Sequence, residues 1–124
     1  MKRILVVEDD RRMRTMLKDM LEMAGYEVVS AEDGLEALKI CRRQRADLVI
    51  TDIIMPDKEG LETISELRRD FPETKIIAIS GGGQIGPHKY LKMARMLGAQ
   101  KTFTKPFAIT DLLGGVRELC GEAR

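Results

Sequence analysis

The chain has 124 residues, 44% hydrophobic and 33% charged, and a formal net charge of +1, which bounds it to one globular domain with a single sizeable core. That even balance gives no bulk attraction to nucleic acid or a membrane surface, and no apolar run approaches the roughly 20 residues that span a bilayer. The apolar run Ile4 to Val7 behind Met1-Lys2-Arg3 is too short for a signal peptide, so a cytoplasmic protein is expected. Cys41 and Cys120 lie far apart, make no metal-ligand spacing and read as free buried thiols.

Ile4-Leu5-Val6-Val7 reads as a buried strand ending in Glu8-Asp9-Asp10. A helix follows, N-capped by Asp10, with Met13, Met16, Leu17 and Met20 at core spacing and Gly25 placed to end it. Val28-Val29 marks a second strand, and Asp33-Gly34-Leu35-Glu36 a capping box opening a second helix whose apolar face is Leu35, Leu38 and Cys41. Leu48 to Asp52 is the third strand, broken at Met55-Pro56. Leu61, Ile64 and Leu67 space a third helix that Pro72 cannot continue. Ile76 to Ser80 is the fourth strand, Gly81 to Gly86 a flexible loop, and Pro87 the first turn of a helix that stops at Gly98. Thr102-Phe103-Thr104 is a short fifth strand before Lys105-Pro106-Phe107. The last helix carries Ile109, Leu112, Leu113, Val116 and Leu119, and its Gly114-Gly115 pair either allows close packing or softens the helix by about 1 kcal/mol per glycine.

Five strands alternating with five helices predict a doubly wound, flavodoxin-like α/β domain over residues 1–124, its parallel sheet covered on both faces. The common order for five strands is 2-1-3-4-5, with ligands at the switch point between strands 1 and 3. In that order Glu8 and Asp9, ending the first strand, meet Asp52, ending the third. Clustered carboxylates repel, and a hard divalent cation such as Mg²⁺ resolves the repulsion with oxygen ligands. Ser80 adds a hydroxyl and Lys105 an ammonium suited to a phosphate oxygen. A carboxylate, a metal, a hydroxyl and an ammonium facing one crevice suit phosphoryl transfer to Asp52.

These residues resemble a response-regulator receiver domain of bacterial two-component signalling. The resemblance rests on the acidic pair after the first strand, the Asp-x-x-Met-Pro-x-x-x-Gly run from Asp52 to Gly60, Ser80, and Lys105-Pro106-Phe107, and it covers essentially the whole chain. It implies that Asp52 accepts a phosphoryl group from a sensor histidine kinase or phosphotransfer protein. It implies Mg²⁺ held by Asp9, Asp52 and the backbone carbonyl of Ile54, with Glu8 acting through water. Lys105 would pair with the phosphoryl group ahead of a cis bond to Pro106, and Ser80 would swing to hydrogen-bond a phosphoryl oxygen. The state would be read at the surface of helix 4, strand 5 and helix 5. A stand-alone domain without an output domain is expected, working through a downstream protein partner and not through direct contact with nucleic acid or membrane.

Three departures from the family stand out. Thr102 occupies the switch position where an aromatic is usual. Ile54 is apolar where many members place a polar residue, which points to slow loss of phosphate. The stretch from Ser80 to Gly98 is about three residues long in excess, so ordering of the glycine loop on phosphorylation is expected in place of an aromatic rotation.

Competing readings are weaker. Gly81-x-Gly83-x-x-Gly86 matches a dinucleotide fingerprint but follows the fourth strand, with no acidic residue between Pro87 and Thr110 for a ribose. A phosphohydrolase of the haloacid-dehalogenase type needs an acid/base two residues after the nucleophile, where Ile54 stands. A pseudo-receiver working without phosphorylation is the remaining alternative. His88, Asp57 and Glu59 read as solvated groups, and Lys89, Lys92 and Arg95 as a solvated helix face or a docking surface for an acidic partner.

Overall fold

The computed structural model describes residues 2–53, 59–81 and 87–123, with the side chains of Glu59 and 87–91 outside that description. Expectations for Ile54, Met55-Pro56, Asp57, the glycines of 82–86 and the side chains of His88 and Lys89 therefore lie outside the described residues.

The elements run β1 (Arg3–Val7), α1 (Arg11–Met23), β2 (Glu27–Ala31), α2 (Gly34–Arg43), β3 (Leu48–Asp52), α3 (Glu59–Asp70), β4 (Lys75–Ser80), α4 (Pro87–Leu97), β5 (Lys101–Thr104) and α5 (Ile109–Cys120). All strand pairs are parallel, in the order β2-β1-β3-β4-β5. Alternation along each strand divides the core in two. Leu5, Val7, Val49, Ile76 and Ala78 point to one face, covered by Ala37, Leu38 and Cys41 of α2, Ile64 and Leu67 of α3 and Ala94 of α4. Ile4, Val6, Leu48, Ile50, Ile77 and Ile79 point to the other, covered by Leu17 and Leu21 of α1 and Leu112 and Val116 of α5. Both faces of a parallel sheet are thereby dry, as its near-continuous apolar strands require. Among the described residues no helix is long and apolar enough to cross a membrane.

Local signals set the helix ends. Asp10 caps α1 by accepting from the amides of Arg12 at 2.9 Å and Met13 at 3.3 Å, a bond type worth about 1 kcal/mol. At the other end Gly25 takes φ 100°, and its amide and that of Tyr26 return to the carbonyls of Glu22 and Leu21, which closes the helix through a left-handed residue. Asp33 caps α2 through the amide of Glu36 at 2.8 Å.

Two apolar faces differ from their sequence reading. Met16 is 38% exposed and Leu35 58% exposed, while Leu17, Leu21, Ala37, Leu38 and Cys41 are buried. The contact line of α1 follows Met13, Leu17 and Leu21, four residues apart, and Met16 lies about 100° round the helix from Leu17. Leu35 stands in the same relation to the buried Gly34 of α2. Of the thiols, Cys41 is buried but Cys120 only half-buried.

The glycine pair in α5 splits between its two readings. A Cβ on Gly115 would lie 3.1 Å from the Phe103 ring, whereas one on Gly114 meets nothing within 4 Å. Gly115 serves close helix–sheet packing, and Gly114 only weakens the helix. Gly114→Ala is accordingly expected to stabilise the chain by up to about 1 kcal/mol, read as a higher urea midpoint.

Candidate functional site

Register brings the site together at the carboxyl ends of the strands. Val7 of β1 pairs with Thr51 of β3, so Glu8 stands level with Asp52. Asp52 pairs with Ile79, putting Ser80 one step further along β4, and Ser80 pairs with Thr104, putting Lys105 just beyond β5. Backbone bonds continue the ladders past the strands: Glu8 N–H to Ala31 C=O, Ile53 N–H to Ile79 C=O, and Lys105 N–H to Ser80 C=O at 2.8 Å. The site groups are thus held by the sheet itself. The bond between Lys105 and Pro106 is cis.

Lys105 lies across the crevice. Its Nζ donates to Glu8 Oε1 at 2.9 Å and Asp52 Oδ2 at 2.8 Å. Glu8 and Asp52 are both buried, and Asp9 beside them is exposed. Burial pushes the Glu8 carboxyl up to about 7: the Lys105 bond opposes the shift, the Asp52 charge adds to it, and the Asp10 amide, 3.2 Å from Oε2, opposes it. Burial works to lower the Lys105 pKa, but the hydrogen bonds and charges of Asp52 and Glu8 outweigh it and the ammonium is held above its ordinary range. Among the described residues one ammonium bonds two of the three clustered carboxylates, so the cluster attracts further positive charge.

Carboxylate oxygens of Glu8, Asp9 and Asp52 all lie within 4.8 Å of one another. Three hard oxygen donors at that spacing fit Mg²⁺ better than a soft metal that prefers thiolate. Ser80 Oγ is fully buried and has no hydrogen-bond partner among the described residues, a cost of about 1–3 kcal/mol that an oxygen-rich ligand would relieve. Thr102 is half-buried opposite Ala78, and its neighbour Phe103 belongs to the α1/α5 face.

Of the site residues singled out in the sequence, Glu8, Asp9, Asp52, Ser80 and Lys105 converge, Thr102 lies on the adjoining strand, and Ile54 lies outside the described residues. Two contributors were not singled out. Gly81 leaves room for the Lys105 stem, since a Cβ there would lie 3.3 Å from Lys105 Cδ. Arg14 reaches back over the loop after β1 to the carbonyl of Glu8. Its signal was position: side chains in the first turns of a helix lean toward its N-terminus.

Residues 4–117 match the family described as the response regulator receiver domain. Response regulator MprA of Mycobacterium sp. (strain KMS) is 36% identical over 118 residues, covering 94% of this chain and 50% of that protein. The transcriptional regulatory protein CpxR of Escherichia coli (strain K12) is 34% identical over 119 residues, covering 96% and 49%. The chain thus spans about half the length of the curated relatives it matches. Among solved structures, response regulator TrrA of Thermotoga maritima, in complex with Mg(2+)-BeF, superposes with a TM-score of 0.84 at 38% identity, covering 96% of this chain and 99% of that one. Chemotaxis protein CheY4 of Vibrio cholerae gives 0.85 at 31% identity, covering 96% and 98%.

Proposed function

The chain belongs to the response regulator receiver domain family, and from that premise we propose that it is a phosphoacceptor switch of two-component signalling with Asp52 as the acceptor. The observation that carries this reading is the Lys105 ammonium bonded to both Asp52 and Glu8, with Asp9 beside them. An Asp52 carboxylate oxygen attacks the phosphorus of a phosphohistidine on a sensor kinase or phosphotransfer protein. The O–P bond forms, the N–P bond breaks, and the departing imidazole takes a proton from solvent, leaving an acyl phosphate. Glu8 (through water), Asp9, Asp52 and the carbonyl of Ile54 would hold Mg²⁺, which supplies charge neutralisation for the transferring oxygens. Lys105 stays on Asp52's side of the crevice and pairs with a phosphoryl oxygen. Ser80 turns its unpartnered hydroxyl to another.

The family relation and the Mg(2+)-BeF complex of TrrA support this reading. Thr102 carries no ring, so the change passes to α4, β5 and α5 by a movement other than an aromatic rotation. The downstream reader is a protein, and the chain works in the cytoplasm.

Acetyl phosphate with Mg²⁺ is expected to add one phosphoryl group to the intact mass, and neither EDTA-treated protein nor Asp52→Asn should gain it. If neither acetyl phosphate nor a phosphohistidine kinase labels the chain, the pseudo-receiver reading replaces this one.

A further inference from the structure

The loop from Glu8 to Asp10 carries two of the three clustered carboxylates, and a side chain outside the cluster governs its backbone. Arg14 Nη1 donates to Glu8 O at 2.9 Å and to Asp9 O at 3.4 Å. Its Nη2 lies 3.7 Å from Glu32 Oε1, just beyond β2. The Arg14 side chain is only 16% exposed, against 70% for Glu32, so the backbone bonds are the sheltered part of the arrangement. Both bonds come from the one Nη1 nitrogen, the Asp9 bond being the longer, so the planar guanidinium restrains the Glu8–Asp9 peptide and, more weakly, the Asp9–Asp10 peptide. Asp9 needs that restraint most, because its carboxylate is exposed and, among the described residues, no side chain bonds to it.

We propose that Arg14 is a positioning residue that clamps the Glu8 and Asp9 carbonyls, so that both carboxylates are aimed at the cation before it arrives. The inference rests on the reading of Glu8, Asp9 and Asp52 as cation ligands. A guanidinium near a cation site would by charge alone weaken binding, so clamp and charge predict opposite signs. Arg14→Lys keeps the charge and a donor nitrogen but loses the planar guanidinium and its reach. Arg14→Met loses both.

The probe is Mn²⁺ alone, its free concentration followed by electron paramagnetic resonance at rising protein concentration. Both variants are expected to bind Mn²⁺ roughly tenfold more weakly than wild type, the scale found for groups that orient metal ligands. In a parallel assay with acetyl phosphate, the Mg²⁺ concentration for half-maximal labelling should rise by the same factor while the rate at saturating Mg²⁺ is kept. A purely structural role would instead lower the thermal midpoint in EDTA and leave the affinity of the folded protein unchanged. Wild-type affinity in Arg14→Lys, or tighter binding in Arg14→Met, overturns the clamp and leaves the cation reading standing. A wild type that binds no Mn²⁺ overturns both.

Discussion

Glu8→Gln is expected to stabilise the metal-free chain at pH 8 by roughly 3 kcal/mol, raising its thermal midpoint by on the order of 10 °C. Burial raises the folded-state pKa of Glu8 from 4.5 to about 7. Between those values the folded chain binds more protons than the unfolded chain, so Glu8 lowers stability as pH climbs from about 4.5 to 7. Below that window Glu8 is protonated in both states and Glu8→Gln should differ little from wild type. Above it the substitution removes an ionised carboxylate from a buried site while the Asp52–Lys105 bond remains. Denaturation in EDTA at about pH 3.5 and at pH 8 checks this. A difference that does not change with pH would place the effect in packing. Mg²⁺ should narrow the gap, because a ligand at 100 times its Kd stabilises the fold by about 2.7 kcal/mol and Glu8→Gln weakens the site that would hold it.

Gly60→Ala should be the most damaging of the single-methyl changes, at about 3 kcal/mol or more. A Cβ at Gly60 would stand 2.3 Å from Ile53 Cα and 2.6 Å from Ile53 O. Those are backbone atoms at the end of β3, so no side chain can turn away to make room. Either α3 backs off the sheet, losing the contacts of Ile64 and Leu67, or Ile53 moves and takes Asp52 with it. The urea midpoint should fall sharply, and the folded fraction should bind Mn²⁺ more weakly. A wild-type midpoint would show that the first turn of α3 can retreat freely.

The sheet order was legible because alternating strands and helices leave a parallel, doubly wound sheet as the economical arrangement, and the convergence of Glu8, Asp9 and Asp52 followed from that order. Helix faces were less legible. A three-and-four spacing admits two neighbouring stripes, and only the position of the sheet chose Leu17 over Met16 and Ala37 over Leu35. The bridge from Lys105 to Glu8 was hidden for a different reason. Lys105 could be assigned to the crevice from its place after the fifth strand, but not to a particular carboxylate, because its stem has four rotatable bonds. Arg14 escaped notice because its main partners are carbonyls, which every residue carries, so its place in the first turn of α1 was the signal it offered. Gly115 could not be separated from Gly114 until Phe103 was seen against it.

The two outer strands have a bearing on colloidal behaviour. β2 opens on exposed Glu27, ion-paired with Arg3 at 2.5 Å, and β5 is only four residues long and opens on Lys101, ion-paired with Glu118. An unpaired strand border invites β-augmentation by a second chain, and short length with a charge at its head is how folded proteins discourage it. Both borders of this sheet have such a guard. Strand-to-strand growth between copies, the route to fibrillar aggregates, is thereby disfavoured.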